Sequence, residues 1–563
     1  MADLTVSVPL SRVSSRRVET NPTYARAWLA SLSPYSNPDS VQELYQNLYA
    51  LNRIDLDPAQ RFELMQLHQT PIQEALSAYQ GAFSRASFPM QVNLRRLAEF
   101  VCQINIEQAN GYKLVVRDLP KIWLPWKRWH LFAPATERAL HHLGEILLRS
   151  YQLYLPYPPG IWRDAHTLYR FAETHKRHEE VVQADEKGSG IIEMTVSRRY
   201  RRLLMLGIAN PYQMSFGECD LAYRFVGHWV EQTRIVSSLS RPGTQGCFLI
   251  DSKIDSPPSV LPRWPIGNES SELRIFDANE FVTTLQLFIE RLQQGETAKD
   301  LRLGVDCLDA TCKEMLQRLH REYFQAAGRR HSRIKRDETV SVCAGISAVH
   351  FFAGGQKAFN ASSNQEDTPF NAKDATSELP TTEAESIETK EEDYVALDNA
   401  ENPYAASRDT FRVDVWQVRD VSAQGLLMAH ANEPGAKFRV GEILGIQRTT
   451  ASGQWNVGVV RWFKGQGAKG IEMGVELIAP EVTSVSVWAA NGDQPRMAVA
   501  ALWMPAIEAT HSPASLLTPR GALQIGKDYF LAETDRATRR IRVLDVIERT
   551  GSAEKVIVGN VIG

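Results

Sequence analysis

The stretch "RRHSRIKRDETVSVCAGISAVHFF", residues 329–352, marks where the chain changes character. Five of its first eight residues are basic, and the rest is rich in β-branched and small apolar side chains. Those features read "DETVSVCAGISAVHFF" as strand. Upstream the texture is helical, and downstream it is that of short strands separated by turn residues. The basic run sits on that boundary.

Working upstream, "NPDSVQELYQNLYAL" offers Ser40 as N-cap with Glu43 three residues on, a capping box. "DLDPAQRFELMQLHQTPIQEAL" begins a further helix, with Asp57 as cap and Pro58 at its first position. "NPYQMSFGECDLAYRFVGHWVEQTRIV" repeats the box with Ser215 and Glu218. Two later helices are expected to stop on Gly295 and Gly328, glycine being the common C-terminal breaker. "GCFLIDSKIDSPPSVLPRWP" reads as one short strand and a proline-rich loop. The first 20 residues are Ser/Arg-rich and aperiodic, which predicts a mobile tail. No fixed-period repeat marks a solenoid.

Downstream, residues 361–401 hold twelve acidic residues against Lys373 and Lys390, with few large apolar groups. Such a segment buries too little surface to offset its ordering entropy, and disorder is the expectation. Strands resume with "FRVDVWQVRDVSAQGLLM", "FRVGEILGIQR", "WNVGVVRWF" and "GIEMGVELIAP", the spacing of a small barrel. "RIRVLDVIER" and "EKVIVGNVI" follow, in a second barrel or an extension of the first. The expected class is α+β: a tail (1–20), a helical half (21–328), a small β-barrel (329–480) interrupted by an acidic insert at about 357–404, and a β-rich end (481–563).

Composition bounds what such a chain does. Its 563 residues suffice for roughly three or four domains. With 63 Lys+Arg against 66 Asp+Glu, the formal charge is −3, which excludes a protein that holds nucleic acid or anionic membrane with its whole surface. Any anion site is local. The six cysteines form no C-x-x-C pair, so reduced thiols are expected, with neither zinc nor a disulfide framework. The N-terminus lacks a signal-peptide core, and no stretch reaches the ~20 apolar residues of a bilayer span. A soluble cytoplasmic protein is expected.

Two short motifs flank the insert. Arg329 and Arg333 are spaced R-x-x-x-R, with Arg330 beside the first. Guanidinium forks suit phosphate oxygens, and their flat faces stack on bases. "DVSAQG" supplies Asp420, Ser422 and Gly425 as D-x-S-x-x-G. A carboxylate accepts from the N1–H and amino group of guanine, and a serine hydroxyl gives or takes one more bond. Gly425 permits a turn with positive φ or a close approach to a ligand. Together these residue types describe a site for a guanine nucleotide with phosphodiesters.

In this arrangement, completed by "VGVVRWF…GIEMGVELIAP", residues 329–480 resemble the PilZ domain family, small β-barrels that bind the bacterial second messenger cyclic di-GMP. The resemblance implies that Arg329 and Arg333 grip phosphates and stack on guanine, while Asp420, Ser422 and Gly425 hold a guanine on the barrel surface. One departure is the gap between motifs, which the insert widens at small entropic cost. A second R-x-x-x-R, Arg408 and Arg412 in "RDTFR", ends eight residues before Asp420. Arg329 and Arg333 are the preferred pair because only they leave room for an intervening strand.

Other constellations carry less. His166, His175 and His178 suggest a metal, but no fourth ligand is evident and a solvated helix face is the better reading. Trp123, Trp126 and Trp129 fit a core-facing edge better than a partner stripe. No P-loop, nucleophile elbow or zinc-protease signature appears. The sequence therefore reads as a cytoplasmic cyclic di-GMP receptor without catalytic activity or cofactor, coupling its barrel to a helical output half that docks a protein partner. A protein-interaction barrel that no longer binds nucleotide, or a basic-run nucleic-acid binder, are the alternatives. The output is open among motility, pili, polysaccharide and transcription.

Overall fold

Three helices near the N-terminus open on a proline behind a polar cap. Asn21 accepts from Thr23 N–H, Asn37 from Asp39 N–H, and Asp57 from Ala59 and Gln60 N–H, starting Pro22–Ser31, Pro38–Leu51 and Pro58–Ser77. The cap of the second helix is thus Asn37 and not Ser40. Proline's fixed φ suits a first helical position, so the helix begins three residues earlier and Ser40 lies buried inside it. These elements belong to a computed structural model that describes residues 4–11, 18–35, 37–79, 83, 90–121, 128–186, 190–238, 244–261, 272–324, 333–357, 359, 411–422, 424–431, 435, 437–448, 454–465, 470–490, 498–506, 512–533 and 537–561. The acidic insert expected at 357–404 lies almost wholly outside them.

The chain divides into two compact units. The first is Met1–Ser332 with Trp462–Met473. Its centre is the helix Phe132–Gln152, which buries Leu140, Leu143, Ile146 and Leu147 completely. Around it run Val92–Asp118, Ile161–Thr174, Val196–Ile208 and Glu218–His228, followed in sequence by Asn279–Gln293 and Asp309–Phe324. Glu218 accepts from Ser215 N–H at 2.8 Å, one half of the expected capping box. Gly295, at φ 96°, closes Asn279–Gln293. Gly328 lies outside the described residues.

Three features of this unit differ from expectation. It holds a two-stranded sheet, β1 (Val182–Glu186) with β2 (Gly190–Met194), and a four-stranded sheet ordered β3 (Arg234–Val236), β6 (Leu273–Asp277), β4 (Cys247–Asp251), β5 (Ser259–Val260). Strands of two to five residues are too short to display a period, which is why a single strand was expected. Cys307 and Cys312 are joined as a disulfide, correcting the expectation of uniformly reduced thiols. Residues 4–11 are held and not free, since Leu4 is buried in the core and Ser7 is bonded at both main-chain groups.

The second unit is Arg333–Arg461 with Gly474–Gly563. Two closed six-stranded barrels occupy the C-terminal part of the chain. The first is ordered β10 (Ile443–Arg448), β11 (Asn456–Gly465), β12 (Ile471–Ala479), β9 (Gly425–His430), β8 (Asp414–Ser422), β7 (Ile334–Ala344). The second is ordered β13 (Thr483–Ala489), β14 (Val499–Met504), β15 (Ser515–Pro519), β18 (Ala553–Asn560), β17 (Arg539–Arg549), β16 (Asp528–Glu533). Closure leaves no open sheet edge. The C-terminal section is a barrel in its own right.

The stretch read as continuous strand after the basic run is a strand and then a helix. β7 ends at Ala344, Gly345 turns the chain at φ 93°, and Ile346–Ala353 is helical. That helix is apolar because it is covered by both barrels. Ile346 and Val349 share one core cluster with Val457 and Val459 of the first and Leu502, Met504 and Leu517 of the second. Among the described residues, no helix is long and apolar enough to cross a membrane.

Candidate nucleotide site

β7 and β8 run antiparallel, with Lys335 opposite Asp420 and Ile334 opposite Val421. Trp416 and Val418 of β8 face the barrel interior and are fully buried. Strict alternation would send Asp420 inward after them. Two bulges prevent this. Pairing slips between Val418 and Asp420 of β8 against β9, and between Lys335 and Glu338 of β7 against β8. An extra residue in one strand resets the phase of the side chains beyond it, and the Asp420 carboxylate emerges at the surface.

There the Arg333 Nη1 donates to Asp420 Oδ2 at 3.3 Å, with the side chains 42% and 18% exposed. The strand pairing thus joins residues 87 positions apart, one from each motif. Lys335, Arg336 and Arg419 are exposed nearby on the same two strands, beside the carboxylates of Asp337, which accepts from Gln417 at 2.5 Å, and Glu338.

Ser422 pairs with Gly425 to close the β8–β9 hairpin, and its hydroxyl donates to the Gly425 carbonyl at 3.3 Å. Gly425 is not among the glycines with positive φ, so the turn does not demand glycine for that reason. Space does. A Cβ there would lie 2.7 Å from the Val475 carbonyl oxygen of β12. The neighbouring Gln424 carbonyl accepts from Leu477 N–H at 2.9 Å, which ties the turn to β12. Close approach is therefore to the barrel's own backbone. Nothing in the motif's spacing points to Val475 as the neighbour, because barrel closure supplies it.

Arg329 and Arg330 lie outside the described residues, as does Arg408. Arg412 donates from Nη1 to the Gly435 carbonyl at 3.3 Å, and Asp414 accepts from Gly435 N–H at 3.0 Å. Both sit at the start of β8, whereas Asp420 is near its end. The structure brings together Arg333, Asp420, Ser422 and Gly425, and leaves Arg412 at the other end of the strand.

The remaining candidates have structural partners. His166 is bonded to the Tyr200 hydroxyl at 2.6 Å and the Ser256 carbonyl at 2.9 Å. His175 Nδ1 faces the Phe171 carbonyl at 2.8 Å, and His178 meets Tyr169 edge-on. Trp129 rests on Phe132 and His175 against the core, while Trp123 and Trp126 lie outside the described residues. Among the described residues, no three His, Cys, Asp or Glu side chains are grouped to hold a metal ion.

Comparison with known proteins points the same way. Residues 247–483 match the family model described as the cyclic-di-GMP receptor FimW, middle PilZ domain, and residues 23–240 match the N-terminal domain of that receptor. The matched PilZ stretch thus begins upstream of the expected Arg329 boundary and ends in β13. The cyclic-di-GMP receptor FimW of Pseudomonas aeruginosa is 26% identical over 530 residues, which cover 90% of this chain and 85% of the relative. No solved structure matches the chain.

Proposed function

The chain carries a PilZ domain, and from that premise we propose that it is a receptor for cyclic di-GMP whose ligand is held at the β7–β8 junction. The observation that carries this reading is the meeting of Arg333 with Asp420 beside Ser422 and Gly425. A guanidinium set against a carboxylate matches the two ends of a guanine nucleotide: phosphate oxygens for the first, ring N1–H and amino donors for the second. In this reading Arg329 and Arg330, just ahead of Arg333 in sequence, add guanidinium groups for the phosphates.

The protein acts without chemistry. Ligand capture is its event, and the helical half is the output that meets a protein partner in the cytoplasm. A ligand moves such an equilibrium only by binding one arrangement of the chain better than another. The arginine motif is well placed for this because it directly follows the last helix of the helical half in sequence.

The test is isothermal titration of the purified chain with cyclic di-GMP, GMP, cyclic di-AMP and duplex DNA. The receptor reading requires binding that is saturable and selective for cyclic di-GMP. Binding to none of the four would leave a protein-interaction barrel. Preference for DNA with a steep salt dependence would leave an electrostatic nucleic-acid patch.

A further inference from the structure

The N-terminal segment makes an unusual contact with the helical unit. Lys113, on Val92–Asp118, and Asp164, on Ile161–Thr174, form an ion pair at 2.7 Å with both side chains at most 5% exposed. Asp164 Oδ1 also accepts from Ser7 N–H at 2.9 Å, and Lys113 Nζ donates to the Ser7 carbonyl at 2.5 Å. One buried donor and one buried acceptor thus read the two main-chain groups of one residue. That recognition is of backbone. Side-chain preference comes from the alternation around it: Leu4 is buried and Val6 partly so, both against the core, while Thr5 and Ser7 face out.

Two arguments separate this contact from ordinary terminal anchoring. Among the described residues, 4–11 belong to no helix or strand and are held at few points: Leu4 and Val6 in the core, the two Ser7 bonds, and the Ser11 hydroxyl donating to the Arg53 carbonyl at 3.3 Å. The segment therefore opens locally as one short unit. A buried ion pair is also a costly device for mere stability, since apolar residues of the same volume hold two helices at least as well. Its distinctive property appears when the segment leaves. A carboxylate oxygen and an ammonium hydrogen then face outward without partners, and any extended peptide satisfies both.

We propose that Lys113, Asp164 and the seat of Leu4 and Val6 form a peptide-docking groove that residues 4–11 occupy in cis, and whose other occupant is an extended, aliphatic segment of a partner protein. The segment is a strap over the groove. Specificity is for aliphatic side chains at two alternate positions followed by an unmodified peptide N–H, as Leu4 and Val6 are followed by Ser7. The inference stands independently of the nucleotide site.

The experiment uses the full chain carrying Leu4→Asp and Val6→Asp, which unseats the strap, and a fluorescein-labelled peptide of residues 4–11, LTVSVPLS, read by fluorescence anisotropy without nucleotide. The altered chain is expected to bind the peptide about tenfold or more tightly than the unaltered chain, whose groove is self-occupied. Methylating the peptide nitrogen at the Ser7 position is expected to remove that binding. Equal binding by both chains, or none by either, overturns the proposal. Failure of the altered chain to fold also overturns it, because the segment would then be part of the core. As a second measurement on the unaltered chain, the Ser7 amide is expected to exchange with solvent about a hundredfold faster than amides of Phe132–Gln152. Exchange equally slow at both places would make the strap inseparable from the fold.

Discussion

Arg333 donates to Asp420 across two paired strands, 87 residues apart in sequence. The two side chains assigned to opposite ends of a nucleotide here neutralise one another. Both reach solvent, and an exposed ion pair is worth at most about 1 kcal/mol. In the proposed complex, phosphates offered to the guanidinium and guanine donors offered to the carboxylate would exceed that. The pair holds both groups at the surface without closing the site.

Asp420→Ala removes the proposed acceptor for the guanine donors. Affinity for cyclic di-GMP is expected to fall by ~1.5–3 kcal/mol, the range for bonds to a charged group. Titration calorimetry measures it, and unchanged affinity would reduce Asp420 to a turn residue.

Arg333→Ala is expected to cost a similar ~1.5–3 kcal/mol in binding while leaving the thermal midpoint nearly unchanged. Arg333→Lys should restore only part, since an ammonium keeps the charge and loses the planar fork. Arg412→Ala serves as the contrasting variant. Its guanidinium is engaged at Gly435, away from Asp420, and its loss should leave affinity intact.

Gly425→Ala forces a methyl to within 2.7 Å of the Val475 oxygen, a backbone atom that cannot rotate away. Overpacking of this kind costs about 1–3 kcal/mol. Thermal denaturation should show a clear loss of stability in the barrel unit. A neutral result would mean that β12 yields more readily than a closed barrel should.

Acidification should loosen the helical unit through His142. Burial first, and then the charges of Arg138 and Arg199, depress its pKa from 6.5 to about 3. The folded chain therefore resists a proton that the unfolded chain accepts. Stability is complete above about pH 6.5 and is lost as pH falls from there toward 3, by about 2 kcal/mol at pH 5 from this residue. His142→Gln removes the titration, and the denaturant midpoint followed by helical circular dichroism should then depend less on pH between 7 and 5. An unaltered pH slope would place the acid sensitivity elsewhere.

The barrel strands were legible because β-branched alternation and turn residues carry local information. The Arg333–Asp420 meeting was legible because its two motifs keep their order and residue types across a long insert. What escaped reading depends on contacts made at a distance. The helix Ile346–Ala353 looks like strand because its composition answers to burial by two barrels, and only Gly345 marks the break. The role of Gly425 was half read: close approach is correct, but the neighbour is Val475, brought there by closure. The Ser7 contact escaped because backbone recognition imposes little on the side chain at that position, and the alternation of Leu4 and Val6 beside it is too short to display a period.

The cluster around Ile346–Ala353 draws its members from both barrels. A fragment cut at residue 483, where the PilZ match ends, would shed Leu502, Met504 and Leu517 and leave Val349 facing water. It would be prone to aggregate, and a weak nucleotide signal from it would be an artefact of the cut. Inheritance meets the same limit. Substitutions that loosen Leu502, Met504 or Leu517 are therefore expected to lower the fraction of molecules able to capture ligand, although all three lie in the second barrel.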